Sequence, residues 1–90
     1  MNNTRRKEIA RIRGQLEELS AKLSELHGDI DNVLSEEQEA FDAMPESLQD
    51  GERGQTMQTA LDNLQSALDE ADTFISAVDD CASYLEEAAQ

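Results

Sequence analysis

The apolar residues in the first half of the chain recur at alternating intervals of three and four positions. This spacing is a heptad repeat with apolar side chains at positions a and d, counted from Ile9 as position a. Its members are Ile9, Ile12, Leu16, Leu19, Leu23, Leu26, Ile30 and Val33. No stretch of the chain alternates apolar and polar residues as a half-buried strand does. The repeat therefore predicts a long amphipathic helix over about residues 4–44.

The repeat slips in the last part of this helix. Leu34 and Phe41 continue the apolar stripe, whereas Glu37 occupies a position that a strict heptad would make apolar. A four-residue stutter restores the phase and locally unwinds the supercoil. A break near Ser35 is the alternative, because Ser-Glu-Glu-Gln matches a capping box. We expect a continuous helix, since residues 29–44 contain neither glycine nor proline.

Residues 45–54 contain the only proline and two of the four glycines, which predicts a turn. Pro45 ends the first helix, because the residue before a proline is disfavoured in helical geometry. Asp50 or Gly51 is expected to cap the helix that follows.

The second half restarts the heptad and predicts a helix over about residues 55–89. Its apolar residues at a and d are Met57, Leu61, Leu64, Leu68, Ala71, Ile75, Val78, Ala82 and Leu85. A third apolar row, at position g, contains Ala60, Ala67, Phe74, Cys81 and Ala88. A stripe three positions wide suits packing against two neighbours rather than one. We therefore expect self-association through Ala60, Ala67, Phe74 and Cys81.

Two long helices joined by one short turn predict an all-α fold, in which residues 1–90 form a single antiparallel hairpin of the coiled-coil type. The charges favour this pairing. Basic residues cluster at the start of the chain, at Arg5, Arg6, Lys7, Arg11 and Arg13. Antiparallel folding places them beside the acidic end of the chain, at Asp79, Asp80, Glu86 and Glu87.

A lone hairpin leaves the g row exposed, and large exposed apolar stripes usually mark an interface. We therefore predict a homodimer in which two hairpins form a four-helix bundle. The alternative is that another protein covers the stripe.

The chain has a formal net charge of −14, and only 3% of its residues are aromatic. Direct nucleic-acid binding is not expected, because phosphates would repel this surface and few rings are present to stack on bases. No apolar run approaches the roughly 20 residues that span a membrane, and the N-terminus lacks a signal-peptide stretch. We expect a cytoplasmic protein without membrane contact, and its single cysteine excludes an internal disulfide.

The sequence contains no catalytic constellation, and we expect neither enzymatic activity nor a cofactor. The only histidine, His27, falls at a flanking e position, and the only cysteine, Cys81, falls in the apolar g row. A thiol nucleophile needs a base and an orienting group beside it. A calcium-loop pattern that begins at Asp29 fails, because Leu34 replaces its glycine and Ala40 its final glutamate. No metal site is predicted.

Acidic residues form two rows along the second helix. One row recurs every seven residues at Asp72, Asp79 and Glu86, and the other contains Asp62 and Asp69. One interpretation is a solvated face that keeps the protein soluble. The other is a partner-binding surface whose carboxylates imitate the phosphates of a duplex and attract a basic protein over a long range.

The segment Glu36–Met57, EEQEAFDAMPESLQDGERGQTM, resembles part of a group of small acidic helical proteins encoded by phages and prophages. In that group a coiled helix, an AFDxMPESLQ-like turn, an ERG sequence and a second acidic helix follow in order. The resemblance implies a phage accessory protein in the host cytoplasm, and many such proteins inhibit host defence. It implies no activity and no functional residues.

Two non-enzymatic functions are expected from these features. The first is an acidic interaction module that binds and inhibits a basic host protein of nucleic-acid processing or defence. The alternative is a structural or assembly protein, a scaffold or chaperone, that acts through its apolar helix stripe.

Overall fold

The all-α prediction is confirmed, and the apolar periodicity corresponds to two long helices that pack along their lengths. The structure, a computed structural model, describes all 90 residues. Helix α1 spans Asn3–Asp42, α2 spans Glu46–Gln49 and α3 spans Glu52–Ala88. Helices α1 and α3 run antiparallel and form a rod of 68 × 15 × 13 Å. Helix α1 is continuous through Ser35, so the alternative break does not occur.

The helix ends differ slightly from those expected. Helix α1 begins one residue early because the side chain of Asn2 caps it, accepting a hydrogen bond of 2.9 Å from the backbone N–H of Arg5. It ends at Asp42, two residues before the predicted limit. Helix α3 begins at Glu52, three residues early, with Gly51 as its extended N-cap residue.

The connection between the long helices contains a one-turn helix, α2, that the sequence pattern does not predict. Pro45 precedes it, and the Pro45 carbonyl accepts hydrogen bonds from the backbone N–H groups of Leu48 and Gln49, at 2.9 and 3.1 Å. The Gln49 side chain then donates to the carbonyls of Phe41 and Met44, at 3.1 and 3.0 Å. The Phe41 carbonyl lies in the last turn of α1 and the Met44 carbonyl just beyond it, where the hydrogen bonds to the residue four positions later are missing. Gln49 therefore ties α2 to the end of α1.

A glycine allows α2 to pack against the start of α3. Gly54 is buried, and a Cβ atom at this position would overlap the backbone of Gln49. By contrast, a Cβ atom at Gly14 or Gly28 would meet nothing within 4 Å. The close approach at Gly54 is therefore specific to the turn, and it sets how the two long helices meet.

The fully buried core is small and belongs to α3 alone. Leu61, Leu68 and Val78 are its apolar members, with Gly54 as the fourth buried residue. Helix α1 contains no residue that is fully buried. Two helices side by side can shield only one line of contact between them, so most apolar side chains of the rod remain partly exposed.

The seam of α1 differs from the predicted a–d stripe. Apart from Ile12 and Gly14 near its start, its half-buried residues fall at positions a and e, whereas Leu19 and Leu26 at position d are each 42% exposed and Val33 is 51% exposed. A straight helix can turn only one stripe towards its neighbour. Leu34 and Phe41 lie at e and are half-buried next to the turn, so the stripe they define continues along the whole helix.

We expect Gly54→Ala to lower the free energy of unfolding by about 1–3 kcal/mol, because the added methyl group forces the α2 backbone away from α3. Gly14→Ala is the matched control, and it should raise stability by about 0.5–1 kcal/mol through helix propensity alone. Urea unfolding followed by far-UV circular dichroism measures both. Equal effects of the two substitutions would contradict the close approach of α2.

Candidate interaction surfaces

Polar side chains join the two long helices along one flank of the rod. The Arg13 guanidinium lies 3.4 Å from a carboxylate oxygen of Glu86. One heptad further along α1, the Ser20 hydroxyl donates a hydrogen bond of 2.8 Å to Asp79. All four residues occupy e positions, which face each other across an antiparallel helix pair.

A third pair continues this series by one more heptad. The imidazole Nε2 of His27 lies 2.9 Å from Oδ1 of Asp72. The His27 side chain is 31% exposed and that of Asp72 is 67% exposed, so the pair lies at the edge of the seam. The three pairs, which we call the polar ladder, are Arg13–Glu86, Ser20–Asp79 and His27–Asp72. Their spacing of seven residues on both helices fixes the register of α1 against α3.

The five acidic residues predicted as a partner-binding surface divide into two groups. Three of them, Asp72, Asp79 and Glu86, belong to the polar ladder and contact α1. The other two, Asp62 and Asp69, accept hydrogen bonds of 3.1 Å from glutamines four residues earlier in α3. All five remain exposed and contribute negative potential. The heptad spacing of the first group has a structural cause, the register of the hairpin.

The basic start of the chain is only partly paired with the acidic end. Among its five basic residues, Arg13 alone forms an ion pair with a carboxylate of α3. Arg6 donates to the backbone carbonyl of Ala89, at 3.0 Å. Arg11 pairs with Glu8 of its own helix, and this hydrogen bond and charge lower the pKa of Glu8 and raise that of Arg11.

Negative charge is concentrated at the turn end of the rod. Residues 23–71, the turn half, contain thirteen acidic residues and a single basic one, Arg53. The terminal half, residues 1–22 and 72–90, contains eight acidic residues and six basic ones. Because both helices run the full length of the rod, the molecule has one strongly negative half and one nearly balanced half.

An apolar face covers the flank opposite the polar ladder. On α1 it comprises the d row from Ile12 to Val33, and on α3 it comprises the g row from Ala60 to Ala88; heptad geometry places these rows on the same side of an antiparallel pair. Its members are Ile12, Leu19, Leu26, Val33, Ala60, Ala67, Phe74, Cys81 and Ala88. Phe74 is 55% exposed, and Ala67, Cys81 and Ala88 are also exposed, whereas Ala60 is half-buried. The predicted stripe is therefore accessible except at its turn end.

The contribution of α1 to this face is the part that the sequence analysis misses. The a–d repeat predicts Leu19, Leu26 and Val33 in the seam within the hairpin, but they lie outside it. The sequence signal for this shift is the stutter at Glu37. Beyond it the apolar residues Leu34 and Phe41 lie at position e and not at d, so the stripe that contains them runs along positions a and e. The exposed apolar face is consequently two helices wide.

The chain exposes more surface than its mass requires. Its accessible surface is 6483 Å², whereas a compact monomer of 10.0 kDa exposes about 5,200 Å². The excess of about 1,200 Å² reflects the thin rod and its unburied apolar side chains.

The two side chains best suited to catalysis are on opposite flanks. His27 belongs to the polar ladder, and Cys81 lies on the apolar face. An open polar groove between α1 and α3 is lined by amides and carboxylates, with Leu34 and Leu61 as its apolar members. No group of three or more histidine, cysteine or acidic residues is arranged to hold a metal ion. None of the helices has the length and apolar character to cross a membrane.

The chain matches no known protein family, no curated protein and no solved structure.

We expect Ser20→Ala to cost about 1 kcal/mol more than Ser24→Ala in the free energy of unfolding. Both substitutions gain the same helix propensity, but only Ser20 donates a hydrogen bond across the seam. Chemical denaturation of the two variants gives the difference. Identical midpoints would show that the polar ladder does not stabilise the hairpin.

The pKa of Glu8 should lie below that of an ordinary glutamate, because the Arg11 guanidinium hydrogen-bonds to its carboxylate and attracts its charge. With a pKa lowered by folding, this pair stabilises the protein above the unfolded pKa, and the stabilisation is lost as the pH falls through the folded pKa. An NMR titration of the side-chain carboxyl carbon measures it. Arg11→Gln should return the midpoint to the ordinary range, and an unchanged midpoint would contradict the pairing.

Proposed function

We propose that the protein is a non-enzymatic interaction module that self-associates through its apolar face, as a structural or assembly protein does. The observation that carries this proposal is the exposure of four large apolar side chains, Leu19, Leu26, Val33 and Phe74, on one flank. Monomeric proteins rarely leave a continuous apolar surface two helices wide in contact with water.

Burial of this face in a dimer would supply the large apolar core that a single hairpin lacks. Only three apolar side chains are fully buried within one hairpin, a small number for a chain of 90 residues. Each Å² of apolar surface removed from water contributes about 25 cal/mol. Stacking two hairpins face to face turns the half-exposed d and g rows into the centre of a four-helix bundle. The interior of that bundle would be apolar throughout, because the polar ladder lies on the outer flank of each hairpin.

The partner that best fits this face is a second copy of the chain. Between Ile12 and Val33 on α1 and between Ala60 and Ala88 on α3 the face carries no charged member, so two copies can meet there without placing like charges inside the interface. Arg5 and Arg53 occupy the same rows only at their ends. The strongly negative turn half would remain at the surface of the resulting bundle. The assembly would then display carboxylates outward and keep its apolar rows inside.

A second candidate function follows from the uneven charge. The turn half bears thirteen acidic residues against Arg53, and this field would attract a basic protein over a long range. The resemblance of Glu36–Met57 to phage-encoded proteins supports an accessory protein of this kind, and the acidic field suggests its target, a basic host protein of nucleic-acid processing or defence. The proposed homodimer would keep its acidic surface exposed, so it could bind and inhibit that protein without any change in its architecture.

We expect Phe74→Glu to weaken self-association at least 100-fold, because it places a charge in the centre of the apolar face. Ser66→Glu is the matched control, since Ser66 is exposed at position f, away from this face. Sedimentation equilibrium measures the association constant, and circular dichroism verifies that both variants stay helical. A dimer that tolerates Phe74→Glu as well as Ser66→Glu, or a wild-type monomer, would overturn the proposal.

The second candidate is tested with two triple variants of equal charge change. Asp31→Asn, Glu36→Gln and Glu39→Gln neutralise the turn half, and Glu17→Gln, Glu18→Gln and Asp80→Asn neutralise the terminal half. None of these six carboxylates takes part in the polar ladder. Immobilised protein is used to capture basic proteins from a bacterial lysate, and a salt gradient releases them for mass spectrometry.

We expect the wild type to retain one basic nucleic-acid-processing protein that moderate salt releases, because exposed charges are screened beyond about 8–10 Å. The turn-half triple should retain at least 10-fold less of it, and the terminal-half triple should behave like the wild type. Equal retention by both triples, or capture that survives high salt, would remove the acidic surface as the binding site.

A further inference from the structure

We infer that the two copies associate antiparallel about a two-fold axis that passes beside Phe74, so that each turn lies next to the termini of the other hairpin. This inference rests on the self-association proposed above and specifies its geometry. It is carried by the order of side chains in the two apolar rows, by the register of the polar ladder and by the distribution of charge along the rod.

The large and small apolar members of both rows form palindromes in side-chain size, with Arg5 and Ala40 beyond the ends on α1 and Arg53 before the start on α3. The α3 row reads small, small, large, small, small, in the order Ala60, Ala67, Phe74, Cys81 and Ala88. The α1 row reads β-branched, leucine, leucine, β-branched, in the order Ile12, Leu19, Leu26 and Val33. A two-fold interface joins the same surface patch from both subunits, so a row that reads the same in both directions complements itself.

The centres of the two palindromes lie at nearly the same height along the rod. The α1 row is centred midway between Leu19 and Leu26. The polar ladder places Ser20 opposite Asp79 and His27 opposite Asp72, so this midpoint is level with the α3 segment between those two acids. Phe74 lies within that segment and within one helical turn of its middle. A single two-fold axis perpendicular to the rod can therefore pass close to the centres of both rows.

The charge distribution also favours the antiparallel dimer over a parallel one. Two copies with their turns at the same end would place two turn halves side by side, each with a formal charge of −12. Antiparallel copies instead place each turn half beside a terminal half with a formal charge of −2 and six basic residues. Like charges repel and the terminal cations attract, so the antiparallel bundle has the lower electrostatic energy.

This geometry stacks α3 on the partner's α3 and α1 on the partner's α1. Phe74 then faces the partner's Phe74 across the axis, and Cys81 faces the partner's Ala67. Cys81 is seven residues from the axis, so the two Cys81 residues lie about 21 Å apart along the rod. A disulfide requires Cα atoms within about 7 Å, and Cys81 cannot form one in this bundle.

The orientation is tested by labelling the turn. Ser47 is exposed on α2 in the turn, and Ser47→Cys in a Cys81→Ser background accepts one nitroxide spin label per chain. Pulsed electron paramagnetic resonance should give an intermolecular distance of about 60 Å, close to the 68 Å length of the rod. A distance below about 25 Å would mean that both turns lie at one end, and it would overturn the inference while leaving self-association intact. Absence of any intermolecular distance, together with a monomer in sedimentation, would overturn the proposed function itself.

Cross-linking gives an independent readout of the axis. Under mild oxidation, Phe74→Cys in the Cys81→Ser background should form a covalent dimer within minutes, whereas wild-type Cys81 should not. Rapid dimerisation through Cys81 with none through position 74 would place the axis elsewhere and contradict the inference.

Discussion

The choice of which stripe of α1 meets α3 determines the rest of this structure. A helix without a kink can present one line of side chains to a single neighbour, and α1 has two available lines, a–d and a–e. The turn decides between them. Gln49 ties α2 to the last carbonyls of α1, and Gly54 lets α2 lie against α3, so Phe41 is held in the seam. The other residues at position e of α1 then lie in the seam as well.

Two surfaces with opposite chemistry result from that choice. Turning position e towards α3 brings Arg13, Ser20 and His27 to the carboxylates of the polar ladder. The same rotation moves Leu19 and Leu26 out of the seam and beside the g row of α3. The polar ladder and the apolar face are thus two consequences of one helix rotation. The first aligns the helices within a hairpin, and the second leaves the hairpin with a surface that water solvates poorly.

The helices and the g row could be predicted because heptad periodicity is a local signal, visible in spacing alone. The a–e seam has a weaker signal, the stutter at Glu37, because Leu19 and Leu34 fit a seam equally well by hydrophobicity and the contacts of the turn distinguish them. Helix α2 has four residues, too few to show any period. The ladder acids illustrate a further limit, since a row such as Asp72 and Asp79 looks the same whether it faces another helix or a partner protein. Only the contacts seen in the structure, such as that between Ser20 and Asp79, show which of the two roles such a row has.

The segment Glu36–Met57 contains the turn, and several of its residues have structural roles there. Phe41 occupies the seam, Pro45 starts α2, Gln49 caps α1 and Gly54 admits the α2 backbone. A chain that shares these residues would share the way its helices meet, and hence the rotation of α1 that exposes an apolar face. These residues therefore determine the geometry of the hairpin and not the choice of a partner. Target choice would then depend on residues outside the turn motif, above all on the acidic side chains that the hairpin leaves unpaired.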